Sequence, residues 1–148
     1  MKPTLFLIIM SIKGILKWGV IWFAPQKYKI RVKYFLFRAG SSLGSIQATH
    51  YLGVLHEEHW NILGHIHELD GIKKAAALYH IAAQNNYKVS ILHLLHLLAK
   101  YDSIQDIIPP QTLLLHFTTI PTKTKSKFEK KFPQKYVAIS EFIKKHSM

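Results

Sequence analysis

The chain has 148 residues, a length typical of one domain with a sizeable core, and 49% of its residues are hydrophobic. It contains no cysteine, which excludes disulfides, thiolate nucleophiles and cysteine-ligated zinc or iron–sulfur sites. Its formal net charge of +12 suits an anionic partner, although a basic surface also serves solubility alone.

The positive charge is concentrated at the two ends of the chain. Residues 1–56 contain eight basic residues and no acid, whereas residues 57–120 contain four lysines and six acids. Residues 121–148 contain eight lysines and two acids. Arg31 and Arg38 are the only arginines. Because arginine is the residue that binds guanine and phosphate in a bidentate manner, a sequence-specific nucleic-acid reader is disfavoured.

Residues 1–24 form an apolar, basic N-terminal segment that allows four interpretations. As one helix it is long enough to span a bilayer, but Lys13 and Lys17 would each cost about 2.5–3.5 kcal/mol near its centre. A signal peptide would lack a small-x-small cleavage site at the normal distance. An interfacial helix would place Trp18 and Trp22 beside the lipid headgroups. We favour a buried first helix of the domain, then the interfacial helix, then a span or signal.

A basic and apolar segment, residues 27–38, follows the boundary at Pro25. Its first eight residues alternate in the manner of a strand. We predict a helix instead, because Gly40 and Gly44 offer helix stops and no partner strand is visible elsewhere. A basic and aromatic platform for RNA is the functional alternative, and we favour a structural helix.

Further helices are predicted near 45–60, 71–84 and 87–100. The helix at 87–100 is apolar over most of its surface, so we expect it to be central in the packing. We expect 45–60 to pair antiparallel with 71–84, and 87–100 with a short helix at 111–117 that follows the stop at Pro109–Pro110. Residues 25–117 therefore form the predicted helical repeat domain. Residues 118–132 are predicted to be a basic, mobile linker, and residues 133–148 an amphipathic capping helix.

Small residues recur with helical spacing at two places in the chain. The alanines around Tyr79 should let a neighbouring helix approach closely, with Tyr79 covering the contact. Three positions have counterparts 42 residues later, in the pairs Gly44–Asn86, Ala48–Ser90 and Leu52–Leu94. We expect Asn86 to end its helix, because asparagine tolerates the left-handed conformation of helix ends. A period of this length with helical spacing inside it is typical of a helix-pair repeat.

These residues resemble the Sel-one-like repeat family, an α-solenoid relative of the tetratricopeptide repeats. The positions that carry the resemblance are Gly44, Ala48, Leu52, Gly53, Gly71, Lys74, Ala75, Tyr79, Ala82, Ala83, Asn86, Ser90 and Leu94. They make one repeat at about 71–95 and a partial one at about 44–53. The resemblance implies an all-α, short α-solenoid of antiparallel helix pairs that acts as an adaptor in complexes. A plain helical bundle with alanine-rich contacts is the alternative.

Ten histidines are the only candidate chemistry in the sequence. The pairs His56–His59 and His93–His96 have the i, i+3 spacing with which imidazoles chelate zinc on a helix, and His80 is a candidate third ligand. The first pair is one residue short of a His-Glu-x-x-His metalloprotease motif. Because no nucleophile, phosphate-binding loop or triad order is present, we predict a non-enzyme without a cofactor. A histidine-dependent metal-binding protein is the weaker alternative.

The predicted function is a protein–protein interaction module that binds a peptide or helix of a larger assembly. Its groove is expected on the first helices of successive pairs, which carry His50, Tyr51, His56, His59, His93 and His96. The alternative is a peripheral binder of an anionic surface, either membrane lipid or RNA. That role would use the basic ends, including Lys123, Lys125, Lys127, Lys130 and Lys131. The compartment stays open between membrane association and a larger complex.

Overall fold

A computed structural model of the chain describes residues 25–147, and every regular element in this range is helical, which confirms the all-α prediction. The interpretations of residues 1–24 lie outside the described residues. The helices are α1 (Gln26–Ser42), α2 (Ile46–Glu58), α3 (Glu68–Gln84), α4 (Lys88–Lys100), α5 (Pro110–Thr118), α6 (Thr122–Lys131) and α7 (Pro133–Ser147), with a 3-10 turn at Asp102–Ile104. None of these described helices combines the length and the apolar character needed to cross a membrane.

The helix bounds repeat with the same period as the sequence. The helices α1 and α3 each have 17 residues, α2 and α4 each have 13, and every bound of the second pair lies 42 positions after the first. The turns also match, because Gly44 has a φ of 92° and Asn86 a φ of 67°. Both values lie in the left-handed region, which confirms that Asn86 ends its helix. The helix pair thus includes residues 26–58, where the sequence pattern was only partial.

The chain divides into two compact units, residues 1–82 and 83–148, with the division inside α3. In the first unit α1 packs on α2. The crossing is close, because a Cβ atom added to Gly40 would lie 3.0 Å from the Cβ atom of Ala48. The turn before α2 is capped by Ser45, whose hydroxyl accepts a hydrogen bond from the Ala48 amide at 3.2 Å. The core of this unit contains Ile30 and Phe37 of α1, Ala48, Leu52 and Leu55 of α2, and Leu78 of α3.

The tyrosine of the repeat pattern closes the first unit between α2 and α3. Tyr79 is fully buried, and a Cβ atom added to Gly53 would lie 2.9 Å from its ring. Its hydroxyl donates a hydrogen bond to Glu57 at 2.7 Å. Ala75 and Ala82 on the same helix are also fully buried. The prediction that small residues allow a close contact covered by this tyrosine is therefore confirmed.

The second unit is arranged around α4, which contacts the 3-10 turn, α5, α6 and α7. Almost every side chain of α4 from Ser90 to Leu98 is buried, as predicted for a helix apolar over most of its surface. The predicted helix at 133–148 is present as α7, and its Ile139 and Phe142 are buried.

The predicted linker at 118–132 is wrong from Thr122 onward, because this segment forms α6. Phe128 is only 4% exposed, and its ring lies edge-on to that of His93 with 5.2 Å between centroids. Phe132, one helical turn later, contacts the same two rings. Two phenylalanines four residues apart give this lysine-rich segment an apolar side, which packs against His93 of α4. The boundary predicted at residues 117 and 118 therefore falls inside a packed unit.

Candidate functional site

The six residues predicted to line a groove do not form one exposed set. His50, His56 and His93 are 3%, 5% and 5% exposed, so the expectation that all six are available to a partner is wrong for these three. His50 packs against the rings of Tyr51 and Tyr79, with centroids 5.5 and 5.3 Å away. Because their rings are buried against aromatic side chains, His50 and His93 serve as core residues. Tyr51, His59 and His96 remain partly exposed.

His56 forms a short polar contact with another histidine in the first unit. Its Nδ1 lies 2.8 Å from the Nε2 of His65, a hydrogen bond between two imidazoles, and the ring of Tyr34 stands edge-on to it at 5.6 Å. Burial lowers the pKa of His56 to about 4, and the positive charges of His65 and Lys74 act in the same direction. At neutral pH His56 is therefore uncharged and is not a base tuned to that pH.

The residues proposed as metal ligands are not joined by a third ligand. Within residues 25–147, no group of three histidine or carboxylate side chains is placed to hold a metal ion. His59 instead lies 4.0 Å from the carboxylate of the adjacent Glu58. The neighbouring Glu57 accepts the hydrogen bond of Tyr79 described above. Burial, together with the charges of Glu57 and Glu58, raises the pKa of Tyr79 far above its usual value, so the phenol stays a hydrogen-bond donor.

The lysines predicted to bind an anionic surface are mostly exposed on one helix. Lys123, Lys127, Lys130 and Lys131 of α6 are exposed, and the first three follow i, i+4, i+7 spacing along one side. We call these four residues the lysine face. Lys125 differs, because it is partly buried and its ammonium group lies 4.1 Å from the centroid of the Phe117 ring.

A second basic surface, which the sequence interpretation did not single out, lies on α1. Tyr28, Arg31, Phe35 and Arg38 are separated by three, four and three residues, and all four are exposed. We call these four residues the α1 stripe. The segment was described from its sequence as basic, with an aromatic platform as the functional alternative. Its alternation has a period of two residues, so it did not indicate that the two arginines and two aromatic residues share one side of a helix.

No protein-family model matches the chain, and no curated protein or solved structure matches it. The Sel-one-like resemblance therefore stays a prediction carried by its own residues. Most of these positions are buried in the structure: Ala48, Leu52, Gly53, Gly71, Ala75, Tyr79, Ala82, Ser90 and Leu94. Gly44 and Asn86 occupy the turns, Ala83 is partly exposed, and Lys74 is exposed.

Proposed function

We propose that the chain is a non-catalytic helical-repeat module that binds another protein within a larger assembly. The observation that carries this proposal is the recurrence of a 17-residue helix, a left-handed turn and a 13-residue helix. Repeated helix pairs of this kind are scaffolds whose extended surfaces suit protein partners. The Sel-one-like resemblance supports the same function.

The contacts made by the buried polar side chains of the first unit favour a binding function over a catalytic one. Tyr79 donates to Glu57, His56 is paired with His65, and His50 is packed between aromatic rings. Tyr79 joins α3 to α2, and His56 ties α2 to the segment that precedes α3, so these groups serve packing. Any recognition by these elements therefore depends on exposed side chains, which is how an adaptor binds.

The test is affinity capture with the full chain in nuclease-treated extract, followed by reconstitution of each candidate pair from purified proteins. We expect one protein to copurify in fixed stoichiometry and to rebind the chain as a purified pair. A Gly71→Val variant is the negative control, because a Cβ atom at Gly71 would lie 2.7 Å from the carbonyl oxygen of His56 and disturb the α2–α3 contact. A chain that binds no purified protein, or that turns over a substrate, would refute the adaptor function.

A second candidate function is binding of an anionic surface through the lysine face. Lys123 and Lys127, and Lys127 and Lys131, are like-charge pairs four residues apart, each costing the helix about 0.2–0.5 kcal/mol. An anionic partner would relieve this repulsion. Co-sedimentation with anionic vesicles and binding to single-stranded RNA should weaken steeply with salt, and the triple variant K123E/K127E/K130E should lose both. Binding that survives this triple variant would exclude the lysine face.

A further inference from the structure

The α1 stripe combines large exposed aromatic rings with charged planar groups along one side of a helix. Tyr28 is 56% exposed and Phe35 is 71% exposed, which is unusual for aromatic side chains that could have been placed in a core. The spacing of three, four and three residues is that of a heptad seam. At a rise of 1.5 Å per residue the stripe is about 15 Å long, or three helical turns.

Within residues 25–147 the charges of the stripe have no salt-bridge partner. The stripe contains both arginines of the sequence, Arg31 and Arg38, and the exposed Lys27 lies one turn before Arg31 on the same side of the helix. The helix α1 contains no acidic residue. Among residues 25–147 neither arginine makes a salt bridge, and the Arg38 guanidinium lies 6.0 Å from the centroid of the Tyr34 ring. Both guanidinium forks can therefore bind a carboxylate in a bidentate manner.

A pocket of about 250 Å³ adjoins the stripe at Arg31. Tyr34, Ile62, Leu63 and Gly64 line the rest of it, so an apolar wall meets a cationic edge. Such a site accepts an apolar side chain of a partner whose neighbouring carboxylate binds the arginine. Aromatic and arginine residues beside a pocket are also the composition of interface hot spots.

We propose that the α1 stripe is the docking site for an acidic amphipathic helix of a protein partner. Carboxylates seven residues apart on that helix bind Arg31 and Arg38, and apolar side chains between them contact Tyr28 and Phe35. A helix matches this surface because the two arginines repeat at the heptad distance. A single RNA strand needs a basic groove that follows its backbone, and a membrane needs a broad apolar face. The assignment rests on the proposed function, because it names the partner chemistry of that module.

The test uses two designed peptides of about three heptads, long enough to form a helix. Both carry leucine at the first seam position, with glutamate at the second in the acidic probe and lysine in the basic probe. We expect the full chain to bind the acidic probe in fluorescence anisotropy. The R31E/R38E variant should lose roughly 10- to 100-fold in affinity for it and gain affinity for the basic probe. Phe35→Ala should weaken the complex of the original chain with the acidic probe and that of R31E/R38E with the basic probe. The reason is that the aromatic contact does not depend on the charge of the peptide.

The matched control is K73E/K144E, which makes the same change in net charge at two exposed lysines outside the stripe. Its affinity for the acidic probe should stay within about threefold of the original, since neither lysine belongs to the stripe and a change in net charge alone acts weakly in the presence of salt. Circular dichroism of every variant checks that the helices persist.

Two results would overturn the assignment. One is an acidic probe that binds R31E/R38E as well as the original chain. The other is that neither the original chain nor any variant binds either peptide, while the original chain binds oligouridylate or anionic vesicles and the stripe variants lose that binding. The captured protein partner separates the two proposals. A partner retained by R31E/R38E refutes the stripe and leaves the adaptor function intact, whereas a chain that binds no protein refutes the adaptor function.

Discussion

The contact of Tyr79 with Gly53 and Glu57 should contribute more to the stability of the first unit than any other single side chain of α3. Tyr79→Phe removes a hydroxyl that donates to a carboxylate at 2.7 Å. Hydrogen bonds to charged groups contribute about 1.5–3 kcal/mol, and we expect the lower end because Glu57 is partly exposed and can bind water instead. Tyr79→Ala also leaves a cavity beside Gly53 and should cost about 3–5 kcal/mol.

Urea unfolding followed by circular dichroism and tryptophan fluorescence measures these losses. The two probes are both needed because the chain has two compact units, which need not unfold together. Tyr28→Phe is the matched control, since its ring is 56% exposed, and its free energy of unfolding should not change. If Tyr79→Phe behaved like this control and Tyr79→Ala cost less than about 1 kcal/mol, the assigned contact would be wrong.

Three further predictions concern packing, pH and the tail. Gly71→Ala should lower the melting temperature, because its Cβ atom would lie 2.7 Å from a backbone oxygen, and an unchanged value would show that the helices can separate freely. Because burial lowers the pKa of His56 to about 4, the unfolded state binds more protons below the ordinary value of 6.5. Stability should therefore fall between pH 6.5 and 4, by up to about 3 kcal/mol, and His56→Gln should flatten this slope while the exposed His67→Gln keeps it. Residues 122–131 should resist limited proteolysis until Phe128→Ala releases α6; rapid cleavage of the original chain would restore the linker interpretation.

Helix ends and the small-residue contact were predictable because single residues determine them. Asn86 adopts a conformation that few other residues tolerate, and Gly53 leaves the space that Tyr79 fills. The helix over residues 27–38 was also predicted, against a local alternation of basic and apolar residues. In that case the helix stops at Gly40 and Gly44 and the lack of a partner strand were stronger indications than the local pattern.

The errors have a common cause, which is that composition was used where geometry decides. Lysine-rich residues 118–132 resembled a linker, although Phe128 and Phe132 are one turn apart and both pack. Histidines were expected to face solvent as polar groups, yet the rings of His50 and His93 pack among aromatic ones. In the opposite sense, the large apolar side chain of Phe35 is exposed. Which side of a helix contacts its neighbours depends on the whole unit and is not contained in any local window.

The residue that replaces Gly53 in the second repeat shows how the repeat pattern ends. Position 95, which lies 42 residues after Gly53, carries a fully buried leucine. A third helix begins at Pro110, 42 residues after the start of α3, but it ends at Thr118, and Pro121 stands at the position equivalent to Tyr79. No tyrosine of a following helix has to approach position 95, so a leucine can occupy the space that glycine must leave open in the first repeat. The loss of one contact residue therefore accompanies the change from the two matched helix pairs to α5–α7, whose lengths of 9, 10 and 15 residues no longer follow the repeat.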